Sequence, residues 1–590
     1  MDQHTEFSNL MHDIIHSGMM FMERAASQPE DALAWLSKAP GLYTDLHTVT
    51  DYLTQHPQIL QEYYSAYFQE AQHLLHTQLQ CWSGMHGVPS LQTDRRFAAK
   101  EWASHPFFQL ISQHYVLLEA HLLRILAQIP TMDQQSSKRI HFLIQQYYHA
   151  LSPENFLLTN PQLLTETLQN NGLNLLRGLH HFLQDLQTQS SQHWTMPLAD
   201  MGDFIVGKSI AITPGKVVYQ NDLIELIQYT PQTPALYAVP LLVIPPWINK
   251  YYILDLRPEN SLVRWLVEQG IVVFMISWRN PDSSHAHWGL REYLSLGPIA
   301  AIEQIQQQLN IPKVSTLGFC IGGTLLSMLL AYYKAQNIDA IASATLLASL
   351  IDFSDPGELG VFIHEQQIQA MEYHMQQQGY LEGDAMAAAF YALRPGDLIW
   401  RVFVQRYLLG HAPRPMDLLC WNMDTTNMPA KMHSEYLRSM YLANDLIKPG
   451  KIQINQIPLD ITQIDVPAFF LSTQKDHIAP WQSTYRGFDL LAGPKKFILG
   501  GSGHIAGIVI PPGKDKYGYY SNPDYPQQPE DWMQNTQFTA GSWWPEWFDW
   551  LKIYSGHMLD SLEMSTQLAT QALADAPGSY VHVKSAGKFE

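Results

Sequence analysis

Over residues 107–128 (FFQLISQHYVLLEAHLLRILAQ) apolar side chains return every three or four positions, with Gln and His between them. That is the spacing of one face of an α-helix. The same texture, poor in glycine, runs from the start of the chain to about residue 204 and predicts a helical N-terminal domain over 1–204. Beyond it the period changes. Short continuous apolar runs appear at 235–246 (ALYAVPLLVIPP), 270–278 (GIVVFMISW), 313–319 (KVSTLGF), 342–350 (ASATLLASL), 466–473 (VPAFFLST) and 495–500 (KKFILG). Helix-like segments such as SLVRWLVEQ and GPIAAIEQIQQQLN lie between them. Apolar strands alternating with helices predict a parallel sheet covered on both faces, an α/β domain over 205–590. The interval of about 352–460 breaks the rhythm. Rich in Met, Tyr and Trp and punctuated by DPGELG, RPGDL and KPGK, it suits a cap inserted between two strands.

At 590 residues the chain is too long for one core, and 46% hydrophobic with 15% charged residues is a globular composition. The balance of 35 Lys+Arg against 54 Asp+Glu gives a net charge of −19. No dense basic run is present, so nucleic acid is not an expected partner. Three scattered cysteines, Cys81, Cys320 and Cys420, argue against a disulfide framework and for a reducing compartment. The N-terminus lacks the pattern of a signal peptide, and the densest apolar run is far below spanning length. A cytoplasmic protein without a transmembrane segment is expected.

Leu317-Gly318-Phe319-Cys320-Ile321-Gly322-Gly323-Thr324 follows an apolar strand and opens a helix. This G-x-C-x-G run is the cysteine form of the nucleophile elbow, whose glycines are required because the flanking turns approach too closely for a β-carbon. The turn also places Cys320 at a helix N-terminus, which supplies backbone donors. An acid and then a histidine should follow, each after a later strand. Asp476 comes after VPAFFLST, and His504 after KKFILG. The order Cys320, Asp476, His504 is that of an α/β-hydrolase fold, with Cys320 as nucleophile, Asp476 as acid and His504 as base. His477, beside the acid, is a candidate to orient that loop or touch substrate; a structural hydrogen bond serves it equally well.

An oxyanion hole in this fold pairs the N–H after the nucleophile, Ile321, with one from the loop after an earlier strand. That loop is Pro245-Pro246-Trp247-Ile248-Asn249-Lys250. Its prolines cannot donate, which leaves Trp247 or Ile248, with Ile248 preferred. Gly202-Asp203-Phe204-Ile205-Val206-Gly207-Lys208-Ser209 fits a phosphate-loop pattern, but no apolar strand precedes it and Pro214 would break the required helix. No metal site is expected, since one H-x-H (His285, His287) and one His364-Glu365 fall short of a ligand set.

The elbow GFCIGGT, the segment VIPPWINKYYILDLRPENSLVRWL, the runs FMISWRNP, DHIAPW, GSGHIAGIVIPP and GSWWPEW, and ENFLLTNP and RGL further upstream together resemble the polyhydroxyalkanoate synthases, specifically class I. The resemblance implies an α/β-hydrolase fold with a cap, and an acyltransferase that polymerises (R)-3-hydroxyacyl-CoA, chiefly 3-hydroxybutyryl-CoA, into polyester. It implies a covalent acyl-cysteine on Cys320 and release of CoA, with no cofactor beyond that substrate. By the same resemblance Arg394, in LRPGDL, is a candidate contact for a CoA phosphate; a surface ion pair is the competing role. Expected partners are the growing polyester chain, a second copy in a homodimer, and the granule surface with its coat proteins, the helical domain serving dimerisation or granule association. A cysteine hydrolase or acyl-CoA thioesterase of the same fold is the alternative; the N-terminal helices and the family motifs speak against it.

Overall fold

The computed structural model describes residues 40–82, 94–130, 132–188, 197, 202, 204–412, 415–513, 516–560 and 572–584. The chain divides into two units, Met1–Asp200 with Met386–Arg414, and Met201–Ala385 with Pro415–Ala586. Of the interval 352–460, residues 386–414 therefore group with the helical unit and the remainder with the sheet.

The first unit contains helices α1 (Pro40–Gln55), α2 (Pro57–Trp82), α3 (Pro106–Ala127), α4 (Gln134–Ala150), α5 (Pro161–Gln169) and α6 (Leu173–Thr188). Local chemistry fixes their starts. His105, Asp133 and Asn160 accept backbone N–H groups of the first turns of α3, α4 and α5, and prolines stand at the first position of α3 and α5. Buried ion pairs join elements distant in sequence. Arg139 holds Asp45 at 2.6 Å, and Arg406 holds Asp185, which also accepts from the Tyr407 hydroxyl at 2.8 Å. Tyr64, Phe68, Leu75 and Leu79 of α2 remain exposed. No helix among the described residues is long and apolar enough to cross a membrane.

The second unit is built on a sheet with eleven strands among the described residues: β1 (Gly215–Gln220), β2 (Ile224–Tyr229), β3 (Leu241–Ile244), β4 (Val273–Trp278), β5 (Val314–Phe319), β6 (Ile341–Leu347), β7 (Ala468–Thr473), β8 (Lys495–Gly500), β9 (Gly518–Ser521), β10 (Gln537–Ala540) and β11 (Ala574–Asp575). Their order is β10-β9-β8-β7-β6-β5-β3-β4-β2-β1-β11. The strands from β3 to β8 are mutually parallel, and antiparallel strands extend both edges. The six apolar runs thus supply the six parallel strands, with 235–246 contributing β3 and, separately, Ala235–Tyr237, which pairs with Met558–Asp560. β3 and β4 are buried along their whole length, as the reading of a sheet covered on both faces requires. This is the α/β-hydrolase arrangement. Its edge strands were not apparent as strands, because KVVYQ, GYYS and QFTA are short and mix polar with apolar residues.

Candidate active site

β5 ends at Phe319, and helix α7 (Ile321–Ala335) begins one residue later, leaving Cys320 alone to make the turn. Cys320 has φ 54° and ψ −124°, a conformation that costs a residue with a β-carbon of order 1–3 kcal/mol and persists only where the surroundings enforce it. They do so here. A β-carbon on Gly318 would strike the Gly323 backbone, and one on Gly322 would strike the Ile244 carbonyl. The Cys320 N–H still donates to Leu347 at 2.9 Å, so the sheet reaches up to the elbow. The side chain is half-buried.

Asp476 follows β7 in a loop folded on its own carboxylate. Oδ1 accepts from the N–H groups of Ile478 and Ala479, both at 2.9 Å. Oδ2 accepts from Nδ1 of His504 at 2.7 Å, and the Asp476 side chain is fully buried. The acid and histidine loops are tied to each other, since Lys475 N–H donates to Ser502 at 2.9 Å and Gln474 N–H to Gly500 at 2.8 Å. Indole N–H groups of Trp543 and Trp544 donate to the carbonyl of Ile508 at 3.2 and 3.0 Å, closing the histidine loop from its far side. Trp543 and Trp544, at the start of the helix Trp544–Tyr554, are therefore also a support for the His504 loop.

The imidazole stacks on Phe319 with ring centroids 5.5 Å apart, beside the elbow. Burial is the largest influence on His504 and opposes its charge, but Asp476 and Cys320, through charge and hydrogen bonds, together outweigh it. The ring is held protonated well above its ordinary range. Nδ1–H is committed to Asp476, which leaves Nε2 to exchange a proton with the thiol.

The loop after β3 is turned by residues of the 415–460 segment. The carbonyl of Trp247 accepts from the Thr426 hydroxyl, and that of Ile248 from the Thr426 N–H at 3.1 Å. Asn249 bridges Thr425. In a planar trans peptide the N–H points opposite to the preceding carbonyl. Pinning the Trp247 carbonyl on Thr426 therefore turns the Ile248 N–H the other way. Ile321 is the first residue of α7, where N–H groups have no partner within the helix.

His477 is half-buried, and its backbone carbonyl accepts from Glu358 N–H at 2.8 Å, so the residue holds the loop at Gly357. Arg394 is exposed and groups with the helical unit. Of the Gly202–Ser209 run, residues 204–209 form a tight turn, with Gly207 N–H on the Ile210 carbonyl at 2.8 Å, and lead to β1 rather than to a helix. Two residues of the site escaped sequence reasoning. Tyr436 and Tyr441 form an aromatic group with Phe353, centroids 5.0–6.1 Å apart. Burial, reinforced by negative charge at Cys320, pushes the Tyr441 hydroxyl above its usual range, and Asp476 acts in the same direction. Nothing local in YLRSMYL marks them; only the fold brings them to the elbow.

A family model described as Poly-beta-hydroxybutyrate polymerase (PhaC) N-terminus matches residues 93–266, and one described as alpha/beta hydrolase fold matches residues 240–509. The Poly(3-hydroxyalkanoate) polymerase of Methylorubrum extorquens is 44% identical over 494 residues, which cover 84% of this chain and 81% of that protein. The Poly(3-hydroxyalkanoate) polymerase subunit PhaC of Rhizobium meliloti is 40% identical, covering 84% of this chain and 80% of that protein. The subunit of the same name from Cupriavidus necator is also 40% identical, covering 83% of each. The chain belongs to the poly(3-hydroxyalkanoate) polymerase family of acyltransferases.

Proposed function

We propose that the chain polymerises short-chain (R)-3-hydroxyacyl-CoA, chiefly 3-hydroxybutyryl-CoA, through an acyl-cysteine on Cys320, with release of CoA. The observation that carries this is the linked set of Cys320 on a strained elbow, an imidazole beside it, and a buried carboxylate on the far ring nitrogen. In the reacting pair the Cys320 proton resides on His504, and the thiolate attacks the thioester carbonyl. The Ile321 and Ile248 amides receive the charge on oxygen. CoA leaves as a thiolate and collects the proton from His504. One thioester replaces another, so the acyl group stays activated. The 3-hydroxyl of a second substrate or of the chain end then gives its proton to His504 and attacks the acyl-cysteine. An ester forms and the Cys320 thiolate leaves. The aromatic group of Phe353, Tyr436 and Tyr441 supports exclusion of water, which would otherwise hydrolyse the acyl-enzyme.

On the same reading Arg394 offers its exposed guanidinium to a CoA phosphate, and His477 positions the acid loop next to the substrate. The exposed apolar residues of α2 support association of the helical unit with a second copy, or with the polyester granule and its coat proteins, at the surface of granules in the cytoplasm. Incubation of the purified chain with 3-hydroxybutyryl-CoA tests the assignment. Insoluble polyester should accumulate in step with free CoA. Soluble 3-hydroxybutyrate in step with CoA would make the chain a thioesterase instead.

A further inference from the structure

The end of the described chain is fastened along the sheet and terminates on the loop that carries Ile248. Leu573 N–H donates to Val217 at 2.8 Å, β11 pairs with β1, and Ala576 N–H donates to Gly215 at 3.0 Å. Glu225, a buried carboxylate inside β2, accepts from the N–H groups of Ser579 and Tyr580, each at 2.9 Å, and from the Ser579 hydroxyl. The Tyr580 hydroxyl donates to Asn221 at 2.7 Å, and Val581 is buried in the main core. The segment then meets Lys250, the residue two after Ile248. Lys250 is 2% exposed, and its ammonium donates to the carbonyl of Val583 at 2.7 Å and lies 3.5 Å from that of Tyr580.

An ammonium so deeply buried is tolerated only where acceptors replace its water. The strap supplies such acceptors, and the same residue's backbone carbonyl takes the Trp421 indole N–H at 2.7 Å. Lys250 is thus gripped at both ends, two residues beyond the peptide whose carbonyl Thr426 holds. We propose that Lys250 and the C-terminal strap, residues 573–583, position the Ile248 amide for acyl transfer, so that the end of the chain completes the oxyanion-binding loop. Lys250 touches no reacting atom on this view; it is a positioning residue. The inference rests on Ile248 as an oxyanion donor to an acyl group on Cys320.

The experiment uses the full chain with Lys250→Met, Lys250→Arg, Glu225→Leu and the Lys250→Met/Glu225→Leu pair. Steady-state release of CoA from 3-hydroxybutyryl-CoA is measured alongside alkylation of Cys320 by iodoacetamide, followed on its own peptide by mass spectrometry. Removing a whole oxyanion donor costs about 10²–10³ in kcat. A displaced one should cost less, so Lys250→Met is expected to lower kcat about tenfold or more, leaving KM within about twofold. Alkylation of Cys320 should be unchanged, because the thiol and imidazole do not depend on this loop. Lys250→Arg, which keeps the donors, should restore most of the loss. Glu225→Leu releases the strap from its other anchor, so the double variant should be no worse than Lys250→Met alone. A kcat loss below threefold in Lys250→Met, equal losses for Met and Arg, a parallel fall in Cys320 alkylation, or full additivity of the pair would each overturn the proposal. A Cys320→Ala variant that still releases CoA would instead remove the acyl-cysteine reading beneath it.

Discussion

Asp476 is held by amides two and three residues beyond it, whereas the loop carrying Ile248 is held by groups far away in the chain. Trp421 reaches the Lys250 carbonyl across 171 positions, and Val583 reaches its ammonium across 333. The elbow is only partly local: Gly318 is required by the Gly323 backbone, whereas Gly322 is required by the Ile244 carbonyl and Gly323 by the Ser349 side chain. Cys320, Asp476 and His504 therefore come with their strands, while the loop carrying Ile248 is assembled by the 415–460 segment and residues 573–583. The difference implies that the two sides can be damaged separately. Lesions on the first should change thiol reactivity and catalysis together. Lesions on the second should spare the thiol.

The largest effect on the local side is expected from Asp476→Asn, which leaves the shape intact but removes the charge that orients His504. By the precedent of other catalytic triads kcat should fall roughly 10³–10⁴-fold, with Cys320 alkylation falling as well. Next comes Gly322→Ala, the one substitution that strikes both sides. Its methyl group would meet the Ile244 carbonyl and, at 2.9 Å, that of Pro245, driving the start of α7 away from the oxyanion loop. A kcat loss of roughly 10²–10³ is expected from steady-state assays, together with slower alkylation. Thr426→Val should separate the sides cleanly. It removes the hydroxyl that holds the Trp247 carbonyl but keeps the Thr426 N–H bond, so kcat should fall about tenfold while alkylation stays at the wild-type rate.

The smallest effect is on stability and carries a sign. His504 is charged in the folded state well above its ordinary range, because Asp476 and Cys320 overcome the burial that opposes it. The stability this adds is complete below about pH 6.5, the unfolded value, and is lost as pH rises through the folded one. Thermal melts of wild type and Asp476→Asn should therefore differ most near pH 6.5, and the gap should narrow as pH rises. A gap that widens with pH would mean that the pair is held by something other than the charged imidazole.

The same contrast governs what could be read from the sequence. GFCIGG declares an elbow because a strand-to-helix turn leaves no room for β-carbons at those glycines, and LLVI and VFMISW declare buried strands because every position but Ser277 is apolar. β2 is less plain. Glu225 and Gln228 interrupt its apolar run yet are 2% and 5% exposed, since Glu225 serves the strap some 354 positions away. Tyr436 and Tyr441 carry no local sign of their nearness to Cys320. Ile248 is preferred over Trp247 on the sequence, but the group that turns its N–H, Thr426, is 178 residues distant in the chain numbering. Short-range constraints are written where they act; long-range ones emerge only on folding.

Acylation of Cys320 itself gives the most direct measurement. Butyryl-CoA lacks the 3-hydroxyl needed for ester formation, so an acyl group transferred from it cannot be elongated. After brief incubation and acid quench, peptide mass spectrometry should find one butyryl group on the Cys320 peptide, formed in step with free CoA and absent from Cys320→Ala. CoA release with no acyl group at Cys320, or undiminished release by Cys320→Ala, would contradict the covalent route.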